Sequence, residues 1–93
     1  MALEKLVSVC INAYNSADVI GETIESVLNQ TYKNLQIIIV DDCSTDNTAE
    51  IVKSYDDDRI ELYTLPKNFN ISNANNECLH RARGEYIAHI DSD

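Results

Sequence analysis

Glycine is scarce in this sequence, which contains only Gly21 and Gly84 among its 93 residues. A loop that wraps phosphate with backbone N–H groups needs several glycines close together. The scarcity therefore excludes a P-loop and a dinucleotide-binding fingerprint. A bound diphosphate would have to be neutralised mainly by a metal ion, because few basic residues are present either.

Basic side chains are outnumbered, with 7 Lys and Arg against 16 Asp and Glu, so the net charge is −9. Such a charge repels a nucleic-acid backbone, and no basic stripe compensates for it. We therefore expect no nucleic-acid partner. The excess of carboxylates favours a cation site or simply keeps the protein soluble.

Long hydrophobic runs are missing, and none approaches the roughly 20 residues of a transmembrane helix. The first residues, Met1 to Lys5, do not resemble a signal peptide. Cys10, Cys43 and Cys78 are odd in number and lack metal-ligand or redox spacing. These features predict a cytoplasmic chain with free thiols and no membrane segment, although a longer parent protein could sit at the inner face of a membrane.

What the sequence does contain is an alternation of strand-like apolar runs and helix-like amphipathic stretches. The predicted strands are Leu6 to Ile11, Leu35 to Val40, Ile60 to Leu65 (nearer an edge) and Tyr86 to Ile90. Helix caps are predicted at Ser16, Asn47 and Ser72. Gly84 is predicted to end the third helix in a left-handed conformation. The order β-α-β-α-β-α-β with short connections predicts an α/β fold, a doubly wound and mainly parallel sheet with helices on both faces.

The second predicted strand organises the rest of the chain. Ile37 to Val40 is an uninterrupted apolar run, typical of a parallel strand that is covered on both faces. Asp41 and Asp42 follow directly, and they must emerge at the carboxyl end of the strand because an unpaired buried charge is costly. In an open α/β sheet, that end faces the ligand crevice.

Side chains from three segments are predicted to converge at this edge of the sheet. The segments are Asn12 to Tyr14, Asp41 with Asp42, and Asp91 with Asp93. Taken singly, each has an ordinary explanation as a packing ring, a turn-forming acid or a solvated loop acid. Together on one edge they favour a ligand site. A ring beside an acid suits a nucleobase, and the Asp-x-Asp pair suits magnesium or manganese.

Five segments, in order, resemble the N-terminal half of family 2 glycosyltransferases with the GT-A fold. They are Val7 to Asn15, Ser26 to Tyr32, Ile39 to Thr48, Asn68 to Asn76, and Gly84 to Asp93. The resemblance implies an incomplete, Rossmann-like GT-A half. It also implies a parent enzyme that transfers a sugar from a nucleotide-diphosphate donor, most often a UDP-sugar, to an acceptor hydroxyl. The acceptor, a glycan, a lipid or a polysaccharide precursor, is left open.

The resemblance assigns roles to residues near the base of the donor. Asn12 and Tyr14 fall in the first-strand loop that lines the base, and Asp42 falls where a carboxylate contacts it. Asp41 is then expected to support the turn. This chain departs from the family pattern at Asn12-Ala13, which replaces Pro-Thr, and at three later positions. Asn70, Asn75 and Cys78 replace Gly, Arg and Gly, so a basic group near the donor is lost.

The resemblance also assigns Asp91 to the ribose and the metal, and Asp93 to direct binding of the metal. The manganese or magnesium ion would offset charge on the departing diphosphate. Residues 1–93 then form the donor-binding part, truncated at the Asp-x-Asp motif, and the general base is expected beyond residue 93. We therefore name no catalytic residue, and we predict that the fragment binds donor weakly and transfers nothing alone.

Two other classes of function stay open at this point. In the first, the chain is a non-enzymatic remnant or interaction module, and its acids only add solubility. The second, less favoured, is a receiver-like phospho-acceptor domain, which would need a strand-end Lys and a lone acceptor Asp that are not seen. Because the last strand would leave an open sheet edge, homo-oligomerisation through that edge is also predicted.

Overall fold

The computed structural model describes residues 5–65 and 71–91, with only the backbone described at 71–74 and 91. Strands and helices alternate along the chain as predicted. They are β1 (Val7–Ala13), α1 (Ile20–Leu28), β2 (Leu35–Asp41), α2 (Thr48–Lys53), β3 (Ile60–Thr64), α3 (Ile71–Arg81) and β4 (Tyr86–Asp91). The described strands form one parallel sheet in the order β3-β2-β1-β4. The predicted doubly wound α/β fold is confirmed.

Burial of β2 on both faces explains its apolar run. All seven of its residues are buried, and its side chains alternate between two cores. Ile37 and Ile39 pack in the first core, together with side chains of α1 and α2. Ile38 and Val40 pack in the second core, which includes Cys78 of α3. Burial contributes about 1.5 to 3 kcal/mol for each such side chain, so this strand fixes the centre of the fold.

The capping hydrogen bonds differ from the predictions, although α2 begins directly after Asn47 as predicted. Ser16 does not cap α1, which starts four residues later, and its N–H instead donates to Thr48 Oγ1 at 2.9 Å. Asn47 occupies the N-cap position of α2 but makes no side-chain cap hydrogen bond. Asp46 Oδ1 accepts the Thr48 N–H at 3.0 Å in its place. Ser72 lies inside α3, and its side chain is outside the described atoms.

Cysteine pairing contradicts the free-thiol prediction for two of the three cysteines. Cys10 of β1 and Cys78 of α3 form a disulfide, with their Cα atoms 5.8 Å apart. Both are fully buried in the second core, while Cys43 keeps its thiol. The spacing of the cysteines in the sequence does not indicate this disulfide. The bridge depends on the packing of α3 on β1, which brings together residues that are 68 positions apart.

Gly84 is required by close packing and not by a left-handed turn. Its φ is not positive, so the predicted left-handed helix stop is wrong. An added Cβ would lie 2.6 Å from Ser8 N and 2.7 Å from Leu6 O. The Gly84 N–H donates to Ser8 Oγ at 2.8 Å, and the Glu85 N–H donates to Leu6 O at 2.9 Å. The connection from α3 to β4 therefore lies directly against the start of β1.

A buried glutamine binds the same connection. Gln36 of β2 is 1% exposed, and its Oε1 accepts the Arg83 N–H at 2.8 Å. Its Nε2 donates to Glu61 Oε2 at 3.1 Å. Burial alone would raise the pKa of the Glu61 carboxyl, but hydrogen bonds from Tyr63 and Gln36 and the charge of Arg83 lower it overall. These contacts fix where β4 begins, and so they fix its register along β1.

The two edges of the sheet are β3 and β4, as predicted. Among the described residues, β4 pairs only with β1, and it exposes Tyr86 and Ile87 at 59% and 44%. The predicted open edge is therefore present, while self-association through it stays a prediction. Within residues 5–65 and 71–91, no helix has the length and apolar character needed to cross a membrane.

Candidate functional site

The strand order creates a topological switch point between β1 and β4. The chain moves outward from β1 to β2 and β3, and then returns to place β4 on the other side of β1. In an open α/β sheet, ligands bind at the carboxyl ends of the strands at such a point. The order also differs from the 2-1-3-4-5 order of receiver-like sheets, which argues against that alternative.

Asn12 stands at the switch point. It pairs in register with Val40 of β2 on one side and with Asp91 of β4 on the other. The backbone of Asp91 therefore lies beside Asn12, so the first acid of the Asp-x-Asp pair is carried to the predicted edge. Asp93, the other predicted metal ligand, lies outside the described residues.

The two acids at the end of β2 have different surroundings. Asp41 is 2% exposed, and its Oδ1 accepts both the N–H of Ser44 at 3.3 Å and the Ser44 hydroxyl. It therefore supports the turn, as expected. Asp42 is 7% exposed, and its N–H donates to Ala13 O at 2.8 Å. Cys43, the next residue, has a φ of 56°, which is uncommon for a residue other than glycine.

The ring of Tyr14 lies at the surface, directly after β1. The residue is 48% exposed, which does not fit the alternative of a packing ring in the core. Its backbone is fixed, because its N–H donates to Ser16 Oγ at 3.2 Å. An exposed ring on a fixed backbone can stack on a nucleobase, a contact that contributes about 1 to 3 kcal/mol in other proteins.

Asn15 joins the loop after β1 to the loop after β2. Its backbone is left-handed, with a φ of 48°. Its Oδ1 accepts the N–H of Thr45 at 2.8 Å, and its own N–H donates to Ser44 Oγ at 2.9 Å. Sequence reasoning assigned no role to Asn15, although asparagine's tolerance of left-handed backbone was a usable signal. The two loops that carry the base-binding candidates therefore form one connected unit.

Asp46 makes a second connection between these loops. Its carboxylate accepts the N–H of Thr48 at 3.0 Å, the Thr48 hydroxyl, and the N–H of Ala17 at 3.2 Å. The hydrogen bond from the Thr48 hydroxyl, aided by these backbone N–H groups, lowers the pKa of the Asp46 carboxyl. No local sequence pattern predicts that Asp46 connects the loops, because Ala17 lies 29 positions away in sequence.

A side-chain hydrogen bond ties Asn12 to helix α3. The Nδ2 of Asn12 donates to the Oδ1 of Asn75. Sequence reasoning placed Asn12 in the site but treated Asn75 only as a departure from the family's Arg. The structure brings the two departures into contact.

The metal site cannot be assembled from the described side chains alone. Within residues 5–65 and 71–91, no three His, Cys, Asp or Glu side chains are placed to hold a metal ion. The donor chemistry of the Asp-x-Asp motif still fits a hard divalent cation, because its ligands are carboxylate oxygens. The register of β4 also carries the first of these acids to the carboxyl edge.

Comparison with known proteins identifies similar sequences. Residues 8–93 match the family described as "Glycosyl transferase family 2". The UDP-Glc:alpha-D-GlcNAc-diphosphoundecaprenol beta-1,3-glucosyltransferase WfaP of Escherichia coli is 47% identical over 91 residues, which are 96% of this chain and 36% of WfaP. Glycosyltransferase GlyG of Streptococcus pneumoniae is 38% identical over 93 residues, which are 98% of this chain and 31% of GlyG. The chain thus spans about a third of the length of these relatives.

Similar folds are found among solved structures. S. aureus TarS 1-349 superposes with a TM-score of 0.88 at 33% identity, covering 94% of this chain and 27% of TarS. The same protein was solved in complex with UDP-GlcNAc. Mannosyltransferase PcManGT from Pyrobaculum calidifontis, solved with GDP-Man and Mn2+, superposes with a TM-score of 0.87 at 29% identity, covering 94% of this chain and 27% of PcManGT. The sheet is a GT-A, Rossmann-like sheet, and the chain belongs to glycosyl transferase family 2.

Proposed function

We propose that this chain is the donor-binding part of an enzyme that transfers a sugar from a nucleotide-diphosphate donor to an acceptor hydroxyl. The observation that carries the proposal is that Tyr14, Asp42 and Asp91 stand at the carboxyl ends of three neighbouring strands, β1, β2 and β4. Parallel pairing of these strands puts segments that are far apart in sequence along one edge of the sheet. These are the groups that a nucleotide and its metal would need.

The base is proposed to bind between the loops after β1 and β2. Tyr14 would stack on the base, and the Asp42 carboxylate would accept an N–H from it. The connection through Asn15 keeps the two loops in a fixed relation before the donor arrives. Uracil is the proposed base, because the name of WfaP specifies UDP-Glc and TarS was solved with UDP-GlcNAc.

A divalent metal is proposed at the Asp-x-Asp motif, with Asp93 as a direct ligand and Asp91 near the metal and the ribose. The PcManGT structure, which contains Mn2+, supports this proposal. When bound, the metal supplies Lewis-acid stabilisation of the charge that develops on the leaving diphosphate. The need is strong here, because the chain has a net charge of −9 and few basic groups.

The acceptor and the general base are not assigned to residues of this chain. We propose that residues 1–93 bind donor weakly and do not transfer sugar by themselves. The support is that the chain spans about a third of its relatives' length, while its candidate residues account only for nucleotide and metal. Sugar transfer by the purified chain would overturn this part of the proposal.

Calorimetric titration of the purified chain with UDP tests the donor proposal. We expect binding in the presence of Mn2+ that weakens when EDTA is added, and weaker binding of GDP. Asp42→Asn should weaken UDP binding about 10- to 100-fold, because a hydrogen bond to a charged group contributes roughly 1.5 to 3 kcal/mol. Asp93→Asn should remove the dependence on Mn2+.

The matched control is Asp58→Asn, which changes an exposed acid in the connection that precedes β3, at the opposite end of the sheet. It removes the same charge and should leave UDP binding unchanged. If the chain binds no UDP with or without Mn2+, the donor proposal is wrong and the interaction-module alternative is favoured. If Asp58→Asn weakens binding as much as Asp42→Asn, the effect is one of net charge and not of a base contact.

A further inference from the structure

A disulfide and a side-chain hydrogen bond join helix α3 to strand β1 on the same face of the sheet. Cys10 and Asn12 lie two positions apart on β1, so their side chains point to one face. Their partners Cys78 and Asn75 lie three positions apart on α3, and so share one side of that helix. The disulfide lies deeper in the core, and the Asn12–Asn75 hydrogen bond lies nearer the carboxyl edge.

The Asn12–Asn75 contact also determines which way the Asn12 side-chain amide points. Its Nδ2 is engaged by Asn75 Oδ1. Among the described side chains, its Oδ1 is the one buried polar atom without a hydrogen-bond partner. With the Asn75 amide in its present orientation, rotation of the Asn12 amide alone by 180° would bring two oxygens together, which is repulsive. In this arrangement the Asn12 Oδ1 is the acceptor that is left unused at the switch point.

The chemistry of Asn75 suits this role in a way that the family's residue does not. Arginine has only donors, whereas asparagine also has an acceptor. Arginine at position 75 could not accept from the Asn12 Nδ2, and the family's proline at position 12 would have no side-chain donor. The two asparagines thus form a matched pair.

We infer that Asn75 is a positioning residue, which fixes the side-chain amide of Asn12 at the switch point and thereby sets the affinity for the nucleotide donor. The inference rests on the proposed function, since it assumes that the nucleotide binds at this edge. It assigns Asn75 no direct contact with the donor. Its effect is transmitted through the orientation of Asn12.

The first test is a nuclear magnetic resonance measurement of the Asn12 side-chain amide, which needs no ligand. In the wild-type chain we expect one of the two Nδ2 protons to be displaced from its random-coil shift and to exchange slowly with solvent. Asn75→Asp keeps an acceptor and should preserve this signature, whereas Asn75→Leu and Asn75→Ala should remove it. Asn76→Leu, which changes the exposed neighbouring asparagine, is the control and should change nothing.

The second test is UDP affinity in the presence of Mn2+. Loss of one hydrogen bond predicts about three- to tenfold weaker UDP binding for both Asn75→Leu and Asn75→Ala. The control Asn76→Leu should leave UDP affinity unchanged. Denaturant unfolding of each variant separates this loss from a loss of fold, and the Ala variant serves if the Leu variant does not fold.

The outcomes separate the inference from the proposed function. Retention of the amide signature in Asn75→Ala, or its loss with unchanged UDP affinity, would overturn the inference while wild-type binding still supports the proposed function. Failure of the wild-type chain to bind UDP would overturn the proposed function and the effect on donor affinity. In that case the amide measurement alone decides whether Asn75 orients Asn12.

Discussion

Replacing Gly84 by alanine tests whether close packing against β1 fixes the start of β4. The new Cβ would lie 2.6 Å from Ser8 N, 2.7 Å from Leu6 O and 2.7 Å from Ser8 Oγ. Two of these are backbone atoms, one in β1 and one directly before it, so they cannot move aside as a flexible side chain would. The connection between α3 and β4 must instead shift outward.

The expected loss of stability follows from the contacts that such a shift breaks. The hydrogen bonds from Gly84 N–H to Ser8 Oγ and from Glu85 N–H to Leu6 O would be lengthened or lost. Partial weakening of the two bonds costs about 1 kcal/mol in total, and overpacking adds about 1 to 3 kcal/mol. We expect Gly84→Ala to lower the free energy of unfolding by about 2 to 4 kcal/mol, a large part of the stability of a small domain.

Urea unfolding of the 93-residue chain measures this change. With a slope of about 1 kcal/mol per molar urea, the midpoint should fall by about 2 M or more. Gly21→Ala is the matched control, because it makes the same chemical change within helix α1. There the new Cβ meets only the Tyr55 hydroxyl at 3.3 Å, and alanine favours the helix by up to about 1 kcal/mol. Gly21→Ala should therefore be neutral or stabilising.

A third variant separates steric packing from backbone conformation. Asparagine tolerates the left-handed backbone far better than alanine does, so a left-handed Gly84 would accept Gly84→Asn more readily than Gly84→Ala. If close packing is the cause, Gly84→Asn should lower the free energy of unfolding at least as much as Gly84→Ala does. Wild-type stability of Gly84→Ala, or clear rescue by asparagine, would refute the packing account.

Two further predictions concern the disulfide and an interloop carboxylate. A thiol assay on the unreduced, denatured chain should detect one reactive thiol, that of Cys43, and detection of three thiols would contradict the Cys10–Cys78 bridge. Reduction of the bridge should lower the free energy of unfolding by about 4 kcal/mol, because the bridge closes a long loop. Because the Thr48 hydroxyl lowers the pKa of Asp46 below 3.8 in the folded chain, its ionised form stabilises the fold above that pH. The stability difference between wild type and Asp46→Ala should be full near pH 7 and should shrink as the pH falls through the lowered pKa; a difference unchanged down to pH 2 would contradict this assignment.

The fold was predictable because its signals are local and repeat along the chain. The apolar run of Ile37 to Val40 identified a strand covered on both faces, and β2 packs into two cores as that pattern requires. The open edge of β4 followed from the resemblance, which implied an incomplete sheet. The start of α1 was predicted wrongly, because the Ser16 hydroxyl bonds the backbone of Tyr14 and does not reach the helix. The position of the α2 cap at Asn47 was correct, but Asp46 accepts the Thr48 N–H in place of Asn47.

The candidate site was predictable in composition but not in geometry. That Asn12 and Asp91 would share one edge followed from parallel topology, and their pairing in register bears this out. The contact between Asn12 and Asn75 could not be predicted, because it depends on where α3 crosses β1. The same crossing creates the Cys10–Cys78 bridge, which the spacing of the cysteines had made unexpected.

The sequence by itself determined the alternation of strands and helices, the two-sided core and the set of acids and the ring at strand ends. These are properties of hydrophobic period and of topology, which act over short stretches and need no knowledge of partners. Tertiary structure alone decided the role of Gly84, the bridge between β1 and α3, and the orientation of Asn12. Each of these depends on a close contact between residues more than 60 positions apart, and only the packed chain brings such residues together.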